Sequence, residues 1–171
     1  PGILPFATIS ILAGGSGAGK TTQLAELCAR VLTGRSFCGR PTHAPTGGIF
    51  YLAADRTWKT DHTFWFAAVG CPTVTTFSLQ GAGVPRHLLM PAYAEDLFRW
   101  CMDRLGVQPG SLVIVDPVAP LFIAGDINNQ RHVATTLLWM GEWVTLHDVT
   151  LLVTCYQGKQ HTADRYARAV D

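Results

Sequence analysis

Apolar residues along this chain fall into short runs separated by longer stretches of helical spacing. Ala7 to Leu12 alternates and is rich in β-branched residues, which predicts a strand. Leu24, Leu27, Cys28, Val31 and Leu32 then recur on one helical face until Thr33-Gly34 ends the run. Residues 35–48 carry Pro, Gly and Thr and read as a connecting loop. Ile49 to Ala53 is continuously apolar, as expected of a parallel strand buried on both faces. A second helix is predicted from Lys59 to Val69, stopped by Gly70, with Phe64, Trp65 and Phe66 as core. Thr73 to Leu79 alternates like another strand, and Gly81 to Pro85 reads as a loop. Pro91 is expected to open a third helix carrying Leu97, Cys101, Arg104 and Leu105, closed by Gly106. Ser111 to Val115 forms a further apolar strand that ends in Asp116. From about Ile127 to His147 a long helix sets Val133, Leu137, Met140 and Val144 on one face, with Trp139 and Trp143 as packing. Val149 to Thr154 is the last strand. This alternation predicts an α/β fold in three layers, a mostly parallel sheet with helices on both faces.

Composition narrows the class. The chain has 171 residues, of which 48% are hydrophobic and 15% charged, so one globular domain over residues 1–171 is expected. It begins at Pro1 without a Met, and the expectation is the trimmed core of something longer. The formal net charge of +1 gives no nucleic-acid footprint by itself. Lysine is scarce, with Lys20, Lys59 and Lys159 the only three among 13 basic residues. Cys28, Cys38, Cys71, Cys101 and Cys155 form no C-x-x-C pair and no zinc spacing with the histidines. Together with the absence of a run of 18 apolar residues and of a basic leader, this predicts a reduced, cytoplasmic protein without a membrane span.

The chemistry centres on Gly14-Gly15-Ser16-Gly17-Ala18-Gly19-Lys20-Thr21, followed by Thr22. It fits the phosphate-binding pattern G-x-x-x-x-G-K-[ST], with a predicted strand before it and a predicted helix after it. A phosphate chain needs backbone N–H groups pointing inward at a helix N-terminus, and glycine permits that close wrapping. Lys20 would reach the β- and γ-phosphates of a nucleoside triphosphate, and the Thr21 hydroxyl would ligate Mg²⁺. Asp116, at the end of an apolar strand, has the pattern of an acid that holds the same Mg²⁺ through water. Asp55 ends another strand, where it is either a functional carboxylate or a turn residue. The last strand delivers Cys155-Tyr156-Gln157-Gly158-Lys159 to the same edge, and the tail carries Arg165 and Arg168 on a segment that also suits a solvated helical face.

The ordered set of motifs resembles the RecA-like ATPases, and within them the branch of RepA-type hexameric replicative helicases and related plasmid and phage ATPases. The resemblance rests on Gly14 to Thr21, Thr46 to Asp55, Val113 to Pro117, Gly125 to Asn129 and Gly158-Lys159. It implies a RecA-like P-loop domain that assembles as a homo-oligomeric ring, a hexamer in that branch, with ATP sites between subunits and DNA as partner. It makes Asp55 the counterpart of the glutamate that activates the attacking water, one methylene shorter here. The His-His expected at the end of the last strand corresponds to Cys155-Tyr156, which leaves Tyr156 or Gln157 to sense the γ-phosphate. Lys159, Arg165 and Arg168 are the candidates for a residue acting on a neighbour's nucleotide.

The leading expectation is therefore a Mg-ATP hydrolysing, helicase-like motor core. A nucleotide-dependent scaffold or switch that hydrolyses weakly stands beside it, as the Asp55 and Tyr156 departures permit. A small-molecule P-loop kinase is the third reading, opposed by the lack of an arginine-rich lid segment.

Overall fold

The computed structural model describes residues 4–54, 74–79, 83–118, 122 and 129–156. Among them run β1 (Ile9–Gly14), α1 (Lys20–Thr33), β2 (Ile49–Ala53), β3 (Thr75–Ser78), α2 (Ala94–Leu105), β4 (Leu112–Asp116), α3 (Gln130–His147) and β5 (Thr150–Tyr156). The five strands form one sheet in the order β1-β5-β4-β2-β3. Every pairing is parallel. A parallel sheet must be covered on both faces, and the period-two alternation of side chains divides this one cleanly. Ile49, Tyr51 and Ala53, with Leu112, Ile114 and Leu152, pack with Leu24, Leu27, Cys28 and Val31 of α1. Their strand neighbours Phe50, Leu52, Val113, Val115, Leu151 and Val153 pack instead with α2 and α3. The three-layer α/β expectation therefore holds.

On the second face Phe98 is the aromatic hub. Its ring meets those of Phe122, Trp139 and Trp143 edge-on, at centroid distances of 5.7, 5.4 and 5.2 Å. These are the offset geometries aromatic quadrupoles favour, and they confirm both tryptophans as packing. Cys28, Cys101 and Cys155 are buried in the two cores and Cys38 is exposed, with no disulfide among the described residues. Burial pushes the Cys101 thiol up to about 12, so it packs as a small apolar group.

Two helix starts differ from the periodicity. Pro91 opens only a 3₁₀ turn, Pro91–Tyr93, and the α-helix begins at Ala94, where Glu95 and Asp96 favour the positive end of the helix dipole. The long helix starts at Gln130, because the Asn129 side chain accepts from the Arg131 N–H at 3.0 Å and caps it. Of the strand expected over 73–79, Thr75–Ser78 pair in parallel with β2. The helix predicted over 59–69 lies outside the described residues. No helix among the described residues is long and apolar enough to cross a membrane.

At the edge where β2 and β4 begin, the turn before β2 lies against the turn before β4. Gly47 N–H donates to Gly110 O at 3.2 Å, and Ser111 Oγ donates to Gly47 O at 3.1 Å. A Cβ at Gly47 would sit 2.5 Å from both Pro109 O and Ser111 Oγ, too close for either backbone to remain in place. Gly47→Ala should therefore lower unfolding stability by about 1–3 kcal/mol in a denaturant titration. An unchanged midpoint would show that this contact does not constrain the sheet edge.

Candidate active site

The C-terminal ends of the strands meet along one edge. Gly14 is in register with Tyr156, and Ala53 with Asp116, so the end of β1 and the Asp116 carboxylate lie on either side of β5. Between β1 and α1 the chain turns through Gly15 to Gly19, with φ of 74° at Gly17 and 78° at Gly19. Those two positions require a residue without Cβ strain, which is why the loop can fold tightly onto the start of α1. The first N–H groups of α1 have no acceptor within the helix, and no acidic residue occupies its first turn. That combination favours an anion there.

Lys20, the first residue of α1, is 8% exposed. Its ammonium donates to Gly14 O at 2.8 Å and Gly15 O at 2.9 Å. It also lies 4.5 Å from the centroid of the Tyr156 ring, a cation–π distance. Thr21 Oγ1 donates to Asp116 Oδ2 at 2.8 Å. A hydroxyl that gives its proton to a carboxylate keeps its lone pairs available to a cation. Asp116 is itself buried.

Two further hydroxyls converge on Asp116. Tyr51 Oη donates to Oδ2 at 2.5 Å, and Thr154 Oγ1 donates to Oδ1. Burial first, and then the Asp116 charge, hold the Tyr51 hydroxyl far above its ordinary pKa, so it remains a donor. Sequence reading absorbed Tyr51 and Thr154 into apolar strands. The signal was their parity. Tyr51 shares a sheet face with Ala53, whose register partner is Asp116, and Thr154 shares one with Leu152 on that same side. A buried tyrosine hydroxyl and a threonine inside apolar runs both require partners, and the strand-end acid supplies one.

Of the residues expected at the site, the structure brings together Gly14, Gly15, Ser16, Gly17, Ala18, Gly19, Lys20, Thr21 and Thr22 with Asp116 and Tyr156. Asp55, Gln157, Lys159, Arg165 and Arg168 lie outside the described residues. Ala54, the residue before Asp55, donates its N–H to Asp116 O at 3.0 Å, which fixes the end of β2 beside Asp116.

The arrangement fits a nucleotide with a hard cation. Thr21 and Asp116 offer only oxygen atoms. Among the described residues no group of three or more His, Cys, Asp or Glu forms a metal cage. Magnesium is commonly held by one or two carboxylates together with substrate phosphates, which is the donor set this edge provides.

Comparison with known proteins agrees with the geometry. No curated protein matches the chain. A family model described as AAA domain matches residues 1–162. That match supports ATP binding and ATPase activity, and by it the chain belongs to the AAA domain family.

Proposed function

We propose that this domain is a Mg²⁺-dependent ATPase of the RepA-type, RecA-like branch, the motor core of a cytoplasmic homo-oligomeric ring, a hexamer, that acts on DNA. The observation that carries the ATPase reading is the joining of Lys20, Thr21 and Asp116 on one sheet edge, with Thr21 bonded directly to Asp116. The ordered motifs from Gly14 to Lys159 support the branch and the DNA partner.

Phosphoryl transfer asks the protein for positioning and charge stabilisation more than for covalent chemistry. The N–H groups at the start of α1 hold the phosphate chain. Lys20 leaves the carbonyls of Gly14 and Gly15 and turns its ammonium to the β- and γ-phosphates. Thr21 and Asp116 would hold Mg²⁺, which when bound would supply charge neutralisation at the phosphate oxygens. Asp55 orients the attacking water. Tyr156 or Gln157 registers the γ-phosphate, and Lys159, Arg165 or Arg168 reaches the nucleotide of a neighbouring subunit. Asp55→Asn should lose about 10²- to 10⁴-fold of turnover while ATP still binds, because binding rests on the glycine loop. Equal single-turnover rates for the two proteins would remove Asp55 from the mechanism.

A second reading, the weakly hydrolysing switch, is favoured by one observation. Lys20 is held by the two carbonyls and the Tyr156 ring, and must leave them to meet phosphate. Turnover measured with and without single-stranded DNA separates the two. Stimulation by DNA supports the motor, and tight ATP binding without turnover supports the switch. A wild-type rate indifferent to DNA would contradict the DNA-acting reading.

A further inference from the structure

The Asp116 carboxylate receives hydroxyl donors on both oxygens. Oδ2 takes the protons of Thr21 and Tyr51, and Oδ1 takes that of Thr154. The bonds from Tyr51 and Thr154 are buried, and both side chains are fully enclosed. They come from β2 and β5, the two strands that flank β4. The carboxylate is thus pinned from both sides while its third donor, Thr21, stands at the start of α1. A carboxylate held by a single donor can swing about its Cβ–Cγ bond. One held at both oxygens by rigid strands cannot.

We propose that Tyr51 and Thr154 are positioning residues that fix the Asp116 carboxylate, so that the Thr21–Asp116 pair accepts Mg²⁺ in preference to Ca²⁺. This rests on the reading of Thr21 and Asp116 as the metal-holding pair. Magnesium demands near-ideal octahedral geometry at short distances, whereas calcium tolerates irregular and longer coordination. A rigid carboxylate therefore favours the smaller ion, and a mobile one erases the preference. Neither residue needs to touch the metal.

The test is calorimetric ATP binding by the whole chain in Mg²⁺, in Ca²⁺ and without metal. The variants are Tyr51→Phe, Thr154→Val, Thr154→Ser and Asp116→Asn. Removing a hydroxyl that orients a metal-holding group should cost about tenfold in Mg²⁺-dependent affinity. Tyr51→Phe and Thr154→Val should each show that loss, with Ca²⁺-dependent and metal-free affinity nearly unchanged. Thr154→Ser, which keeps the hydroxyl, should behave as wild type. A purely structural role would lower the melting temperature and leave the Mg²⁺ to Ca²⁺ ratio intact, and that result would overturn the proposal. A rise in Mg²⁺ affinity in Tyr51→Phe would overturn it too. Should one variant fail to fold, the other decides the matter. If Asp116→Asn leaves Mg²⁺-dependent affinity unchanged, the failure lies in the metal-site reading itself.

Discussion

Lys20→Ala is expected to reduce ATP turnover by about 10²- to 10³-fold, the loss typical when one preorganised charge donor is removed from a reacting centre. Lys20 is the sole lysine on the phosphate loop, and its ammonium already sits within hydrogen-bond distance of the carbonyls of Gly14 and Gly15. The swing toward phosphate exchanges those acceptors for a more highly charged one. Nucleotide binding should weaken as well, because the phosphates then lose a fixed counter-ion. The fold should change little, since the aliphatic stem contributes modestly to a core that α1 builds from Leu24, Leu27, Cys28 and Val31. Phosphate release measured at saturating ATP, together with a melting curve, checks both halves. Turnover equal to wild type would remove Lys20 from the reaction.

The second large effect is expected at Asp116. Asp116→Asn keeps the shape and removes the charge, so Mg²⁺-dependent ATP affinity should fall by an order of magnitude or more. Without metal the sign should differ. A carboxylate repels the phosphate chain, and the amide does not, so metal-free ATP should bind as well as in wild type or slightly better. Stability should drop, because the amide nitrogen cannot accept the hydroxyl protons that the carboxylate takes from Thr21, Tyr51 and Thr154. Hydrogen bonds to a charged group are each worth about 1.5–3 kcal/mol, and hydroxyls that turn to accept from the amide recover part of that. Titrating ATP with and without Mg²⁺ separates the charge effect from the structural one. Equal losses in both conditions would make Asp116 a structural residue only.

The glycine loop, the strand that precedes it and the helix that follows it were legible because each has its own local signal. Glycine spacing, a β-rich run and helical apolar spacing from Leu24 to Leu32 are all properties of neighbouring residues. Asp116 was legible as an acid closing an apolar strand. What surrounds Asp116 was not. Tyr51 and Thr154 lie 65 and 38 residues away along the chain, and reach it only through the register of three strands. Sequence order also says nothing of β5 lying between β1 and β4, which brings the Tyr156 ring beneath Lys20. Helix starts are less legible for a smaller reason. Pro91 suits a 3₁₀ turn as well as an α-helix, and Asn129, inside the helix predicted from about Ile127, is its cap, because its side chain accepts from the Arg131 N–H.

If one edge of this sheet hydrolyses ATP with a metal held by Thr21 and Asp116, γ-phosphate release must depend on that metal. The decisive measurement is single-turnover release of γ-phosphate from ATP, followed in Mg²⁺ and in chelator at a fixed high concentration of the wild-type chain. Release in Mg²⁺ and none in chelator is the expected result. No release above the uncatalysed rate, or equal release in chelator, would rule out metal-dependent hydrolysis at this edge.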